Sequence, residues 1–152
     1  MTGAAVPTGC YACSISARLG ALPVREATWV EAGWYLAHNF EGGLPGWFVL
    51  VPQRHVLALD ELTEAEGEAM GRLLVRVTAA LRAVVGCTKT YTMLLAERPG
   101  FEHVHVHVVP RMPDLPPERL GPRIFGYADD EPVAESERDR ISGLVRDHLA
   151  IH

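Results

Sequence analysis

Apolar residues fall into two rhythms along this chain, and each rhythm predicts a kind of element. Between residues 26 and 39 an aromatic and β-branched run with Trp29, Val30, Trp34, Tyr35 and Leu36 breaks at Ala32-Gly33, which predicts two strands joined by a tight turn. Glu41-Gly42-Gly43-Leu44-Pro45-Gly46 is a loop by composition. Trp47 to Val51 is unbroken apolar sequence, as expected of a strand buried on both faces, and Pro52 ends it. The second rhythm places Met70, Leu73, Leu74, Val77, Leu81 and Val84 on one stripe and predicts a helix over 60–85. Thr63 and Glu66 form a capping box within it, its glutamates come early and its arginines late, and Gly86 closes it.

Residues 89–95 predict a further strand, which a connection over 96–102 joins to His103-Val104-His105-Val106-His107-Val108-Val109. The valines favour extended backbone, so all three imidazoles share one face while Val104, Val106 and Val108 enter the core. Prolines at 110, 113, 116, 117 and 122 leave 113–131 irregular. The tail recovers helical spacing at Ile141, Leu144, Val145 and Leu149. Strands that follow strands through short connections, with two helices, give an α+β fold dominated by an antiparallel sheet.

With 152 residues, 48% of them hydrophobic, the chain suits one compact domain over 1–152, its residues 1–9 loosely ordered. A net charge of -5 without a Lys/Arg run argues against nucleic acid as the main partner. Apolar stretches are interrupted well before the ~20 residues of a membrane span, and the start lacks the charged and apolar regions of a secretory signal. The expectation is a cytoplasmic protein with no membrane partner.

The histidine row changes the picture from fold to chemistry. One histidine in a strand is ordinarily a hydrogen-bonded structural residue. Three on one face would each need a buried polar partner and would displace apolar packing, so packing alone is a poor explanation. At about 3.3 Å rise per residue, the outer two Cα atoms lie roughly 13 Å apart, too far for one small ion to collect all three rings. Division of labour among a metal, a reacting phosphorus and a phosphate oxygen suits the row better.

Cys10-Tyr11-Ala12-Cys13 supplies a metal half-site, and Cys87 reads as a packing residue. A redox pair would follow a buried strand, and residues 1–9 show none. Zinc needs two more ligands. His148 and His152 read as solvated, whereas His55 follows the end of a buried strand and would be held rigidly. Cys10, Cys13, His55 and one histidine of the row would make a closed, structural four-ligand site.

Taken together, these residues resemble the histidine triad superfamily of nucleotide hydrolases and transferases, and within it the zinc-containing bacterial branch. His103-Val-His105-Val-His107-Val-Val is similar to its signature, Cys10-x-x-Cys13 to its zinc pair, Pro52-x-x-His55 to the segment with its third ligand, and Leu62-Thr63-x-x-Glu66 to the start of its long helix. The resemblance spans about residues 10 to 112. It implies a five-stranded antiparallel sheet with a long central helix and a C-terminal helix, usually as a homodimer. It also implies a structural Zn2+ on Cys10, Cys13, His55 and His103. His105 becomes the nucleophile toward the α-phosphorus of a nucleotide, and His107 a hydrogen-bond donor to the phosphate. By position His38, Asn39, Phe40 and Trp47 become candidates for the base and ribose, with packing or loop roles as the alternative.

Several positions depart from the pattern. Many relatives carry a Gly-Gln-Ser/Thr stretch before the triad, preceded by an asparagine; here Ala96-Glu97-Arg98-Pro99-Gly100-Phe101-Glu102 keeps a glycine and lacks those polar contacts. Arg98 and Arg111 are the cations at hand to replace them, and Glu97 and Glu102 oppose a phosphate unless they point outward. Many relatives also have histidine where this chain has Trp47. The substrate is expected among dinucleoside polyphosphates, nucleoside phosphoramidates and nucleotide conjugates. A nucleotide-binding or regulatory protein on the same fold, with weak or no turnover, is the alternative. A catalytic metal on His105 and His107 is a third reading, but Glu102 would face away from them.

Overall fold

The structure, a computed structural model, describes residues 5–152. Of residues 1–9, expected to be loosely ordered, the first four lie outside the described residues, and 5–9 hold neither helix nor strand. In chain order come α1 (Tyr11–Ser16), β1 (Trp29–Glu31), β2 (Trp34–His38), β3 (Phe48–Pro52), α2 (Glu64–Val85), β4 (Lys89–Met93), β5 (Val106–Arg111) and α3 (Glu135–Ile151). The five strands form one antiparallel sheet ordered β1-β2-β3-β5-β4. This is the expected α+β architecture with a long central and a C-terminal helix.

Local chemistry explains the boundaries. Ala32 (φ 50°) and Gly33 (φ 80°) both adopt left-handed backbone, the geometry of a two-residue hairpin turn that matches strand twist. The long helix begins at Glu64 rather than residue 60 because Thr63 is its cap. Thr63 Oγ1 accepts from the Glu66 amide at 3.1 Å, and the Glu66 carboxylate accepts from the Thr63 amide at 2.8 Å. Residues 59–61 ahead of it turn as a 3-10 helix. At the far end Gly86, with φ 72°, donates to the Arg82 carbonyl.

The period of two sorts the strands into two faces. Trp34, Leu36, Phe48, Leu50, Val106 and Val108 point one way and pack with Leu73, Val77, Leu81 of α2 and Ile141, Val145, Leu149 of α3. Cys87 is buried in this layer. The opposite face is covered only at its two ends. Near α1, Ala12 and Ile15 pack on Tyr35 and Val51. At the other end Leu115 and Ile124 pack on Trp47 and Val109, with Tyr91, Met93 and Phe125 against them. Between the two patches the sheet is left open, and the histidines face that opening.

Three features differ from expectation. Residues 11–16 form a helix, with the Cys10 sulfur accepting from the Cys13 amide at 3.4 Å as its cap. Six residues are too few for a helical pattern to show, and too few to be stable without outside support. Second, β5 begins at Val106, so His103 and His105 precede the paired strand. Pro52, where β3 ends, has no N–H to continue the ladder, and its carbonyl is engaged by the His103 ring at 2.8 Å. Third, the proline-rich segment is wound into 3-10 helix over Pro117–Arg119 and Gly121–Asp129, each with proline at an early position where its missing N–H costs nothing.

That wound segment clamps the loop after β2. Gly43 donates to the Tyr127 carbonyl at 2.9 Å, and Val133 to the Gly42 carbonyl at 3.1 Å. A Cβ on Gly42 would meet the Tyr127 carbonyl oxygen at 2.6 Å, at a φ of +84°. Gly42→Ala is therefore expected to cost about 1–3 kcal/mol of stability. An unchanged urea midpoint would show that the clamp yields freely.

Candidate functional site

Cys10, Cys13, His55 and His103 converge although they come from α1, the turn after β3 and the approach to β5. Their ligand atoms all lie within 4.8 Å of one another. The Cys13 sulfur is 3.3 Å from His55 Nδ1 and 3.5 Å from His103 Nδ1, and the Cys10 sulfur is 3.5 Å from His103 Nδ1. A tetrahedral zinc with bonds of about 2.3 Å to sulfur and 2.0–2.1 Å to nitrogen has S···N edges of roughly 3.5 Å, so the spacing fits such an ion. The His103 ring donates from Nε2 to the Pro52 carbonyl, which can only accept, so Nδ1 is the bare nitrogen that faces the sulfurs. Burial and the neighbouring Cys10 push the Cys13 thiol up to about 11, a penalty that a cation would remove. The cluster is suited to holding a metal ion and offers no fifth protein group for chemistry on it.

Beside the cluster lies a cavity of about 390 Å³. Ala12, Ile15 and Tyr35 wall one end, Val49 and Val51 form the floor, and His105 and His107 flank it together with Phe125. His105 Nδ1 lies 2.8 Å from the backbone carbonyl of His103. The carbonyl accepts, so Nδ1 carries the proton and Nε2 keeps its lone pair. His107 lies across the ladder from Val49 on one side and Met93 on the other, and its ring meets that of His105 edge-on with centroids 4.9 Å apart.

The other residues expected in the site divide. Asn39 reaches the cavity, with its amide nitrogen donating to the Glu41 carbonyl at 2.7 Å. His38 abuts the cavity, yet both of its ring nitrogens are used: Nδ1 donates to the Asn39 carbonyl at 2.8 Å, and Nε2 accepts from the Gly46 amide at 2.9 Å. It staples the loop and has nothing left for a ligand. Trp47 is 1% exposed, and its indole N–H is directed at His107 Nδ1, 3.0 Å away, rather than at a ligand. Arg98 lines the cavity but grips the Glu41 carboxylate with two nitrogens at 2.9 and 3.2 Å and lies over the Phe101 ring at 4.1 Å. Arg111 does not line the cavity, and its guanidinium donates to the Met112 carbonyl at 3.2 Å.

Sequence reasoning missed several lining residues. Tyr11 and Phe101 gather around Phe40, which was expected at the site, with centroids 5.1 to 6.2 Å apart, and the Glu41 carboxylate crosses to Arg98. Phe125 arrives from the segment read as irregular. None of these carries a local signal, because each acts through a partner more than ten residues away. Glu102 is exposed, and Glu97 is exposed at the rim of the cavity.

Burial pushes His107 and His38 down to about 4, His105 adding to the effect on His107. Both rings should stay neutral well below the ordinary value near 6.5. In NMR titration their ring resonances are expected to hold steady down to about pH 5. The unfolded chain would take up these protons near the ordinary value and the folded chain only near 4. Folding stability therefore falls as pH drops through that window, by up to roughly 1.4 kcal/mol per unit for each ring. Titration of either ring at its ordinary value would remove this contribution.

Comparisons with known proteins place the architecture. No protein-family profile and no curated protein matches the chain. Solved structures do. A zinc-bound histidine triad family protein from Mycobacterium smegmatis is similar with 20% identity over 93% of this chain and 94% of that one, at a TM-score of 0.64. A hypothetical histidine triad nucleotide-binding protein from Sulfolobus tokodaii shares 16% identity over 93% of each chain, at 0.68. A uridylyltransferase structure shares 19% identity over 93% of this chain and 45% of its own length, at 0.65. With the five-stranded sheet, the long capped helix and the three histidines facing one cavity, the chain has the histidine triad fold.

Proposed function

We propose that this protein is a nucleotide hydrolase or nucleotidyl transferase that acts at the α-phosphate through a covalent nucleotidyl-histidine on His105. The observation that carries this reading is the 2.8 Å contact of His105 Nδ1 with the His103 carbonyl, which leaves a bare Nε2 beside a nucleotide-sized cavity. A neutral imidazole nitrogen is a competent nucleophile. Its lone pair forms the N–P bond while the bond from phosphorus to the leaving group breaks, and the leaving group departs with that electron pair. Water or another acceptor then attacks the same phosphorus, the N–P bond breaks with its electron pair returning to His105 Nε2, and the acceptor's proton passes to the departed leaving group or to solvent. His107 donates a hydrogen bond to a non-bridging oxygen, where charge builds during both steps. Asn39 and the aromatic wall hold the nucleoside.

Cys10, Cys13, His55 and His103 hold a structural zinc, which ties α1 to the sheet and takes no part in bond making. Neither ligand cysteine is in a disulfide, which suits a reducing cytoplasm. Glu26, Glu41 and Glu97 line the cavity against a single guanidinium that is already paired, so substrates with little charge beyond the α-phosphate fit best. Edge strand β4 offers its free side to a second copy, giving a homodimer; light scattering that finds only monomer would remove that part.

The test is to incubate the protein with adenylated and guanylated phosphoramidates, conjugates and dinucleoside polyphosphates, quench, and map the adduct by mass spectrometry. An acid-labile nucleotidyl group on His105 is expected. Tight binding with neither adduct nor product would favour the alternative of a nucleotide-binding regulator, which the missing polar phosphate contacts around Arg98 would suit. Among the described residues no helix is long and apolar enough to cross a membrane.

A further inference from the structure

We propose that Trp47 is a positioning residue that locks His107 into the one tautomer able to donate to a phosphate oxygen. This rests on the reading of His107 as a phosphate ligand, but the hydrogen-bond chemistry can be tested without it. An indole N–H can donate and has no way to accept. Its partner His107 Nδ1, at 3.0 Å, must therefore be the unprotonated nitrogen, and the ring's single proton sits on Nε2. A histidine, serine or tyrosine in place of Trp47 could exchange donor and acceptor roles with the ring. Tryptophan removes that freedom.

Packing holds the pair in register. Trp47 is fully buried, and Phe125 stands edge-on to both rings, with centroids 5.2 Å from Trp47 and 5.1 Å from His107. The segment carrying Phe125 is thereby tied to the chemistry although it contributes no polar atom. Adjacent imidazoles then have opposite characters. The His103 carbonyl, an acceptor, bares Nε2 of His105; the Trp47 indole, a donor, protonates Nε2 of His107. One nitrogen attacks phosphorus and its neighbour binds oxygen, and neither can trade roles while its backbone or indole partner stays in place. It also follows that neutral His107 has no spare proton to give a leaving group, so its part is electrostatic.

The experiment uses full-length 15N-labelled protein. Long-range 1H–15N spectra near neutral pH should show His107 with its proton on Nε2, and a scalar coupling should connect Trp47 Nε1 with His107 Nδ1 across the hydrogen bond. Trp47→Phe keeps an aromatic ring but no donor, and it should spread His107 over both tautomers. Trp47→His, which can still donate, should restore the Nε2–H form at least in part. If the protein turns over nucleotides, Trp47→Phe should lower kcat on the order of tenfold or more with KM little changed. A His107 protonated on Nδ1 in the wild type, or a tautomer unmoved in folded Trp47→Phe, would overturn the assignment. Absence of turnover on every nucleotide, with the tautomer as stated, would instead remove the enzymatic reading and leave this one standing. Should Trp47→Phe not fold, the coupling in the wild type decides alone.

Discussion

Replacing His105 with alanine should lower turnover by on the order of 10⁴-fold or more, because the group removed forms the bond that divides the reaction into two steps. The effect should fall on kcat. The cavity proposed for the nucleotide is walled mainly by residues other than His105, Tyr35, Val49 and Val51 among them, so nucleotide affinity should change little. His107→Ala should cost less, about 10²–10³-fold, as expected for one hydrogen-bond donor to a developing charge. The ordering matters more than either value. A larger loss at His107 than at His105 would transfer the nucleophile's role and contradict the geometry in which His105, unlike His107, has Nε2 bared by a carbonyl contact at Nδ1. Single-turnover kinetics on both variants, with the wild type trapped as its adduct, measures this directly.

Cys13→Ser should be the most damaging change for stability. Cys13 is 5% exposed and sits closest to the other ligands, 3.3 Å from His55 Nδ1 and 3.5 Å from His103 Nδ1. Structural zinc contributes several kcal/mol to small domains, and each kcal/mol shifts the melting temperature by roughly 2–4 °C at this size, so a fall of about 10 °C or more is expected. Metal content should drop from about one zinc per chain to near none. The loss should not stay local: α1 carries Ala12 and Ile15 of the cavity wall, so nucleotide binding should weaken as well. One equivalent of zinc and an unchanged melting temperature in the variant would refute the ligand set.

Much of this was legible in the sequence, for physical reasons that also set the limits. Period and caps are local, so α2 could be placed from Thr63, Glu66 and its apolar stripe to within its first turn, and the strands to within about three residues. The convergence of Cys10, Cys13, His55 and His103 was legible because Cys-x-x-Cys, His55 and the histidine row are chemically rare and each was anchored to a recognisable element. What could not be read was who occupies whom. Arg98 looked like a free cation until Glu41, 57 residues away, was seen to hold it. His38 and Trp47 looked like substrate contacts, and their polar atoms proved to be spent on Gly46 and His107. The 3-10 turns after Pro116 escaped notice because proline signals the end of an α-helix more strongly than it signals the start of a tighter one.

His103 serves two neighbours through two different parts of itself. Its ring is turned toward the sulfurs, while its backbone oxygen receives the His105 proton. That oxygen belongs to no side chain, so substitution at position 103 can take the ring out of the cluster with Cys10, Cys13 and His55 without deleting the acceptor that fixes the His105 ring. A side-chain scan would therefore miss that group. Only an insertion, a deletion or a displaced chain before Val106 could reach it, and the sequence around it can drift while the chemistry stays put.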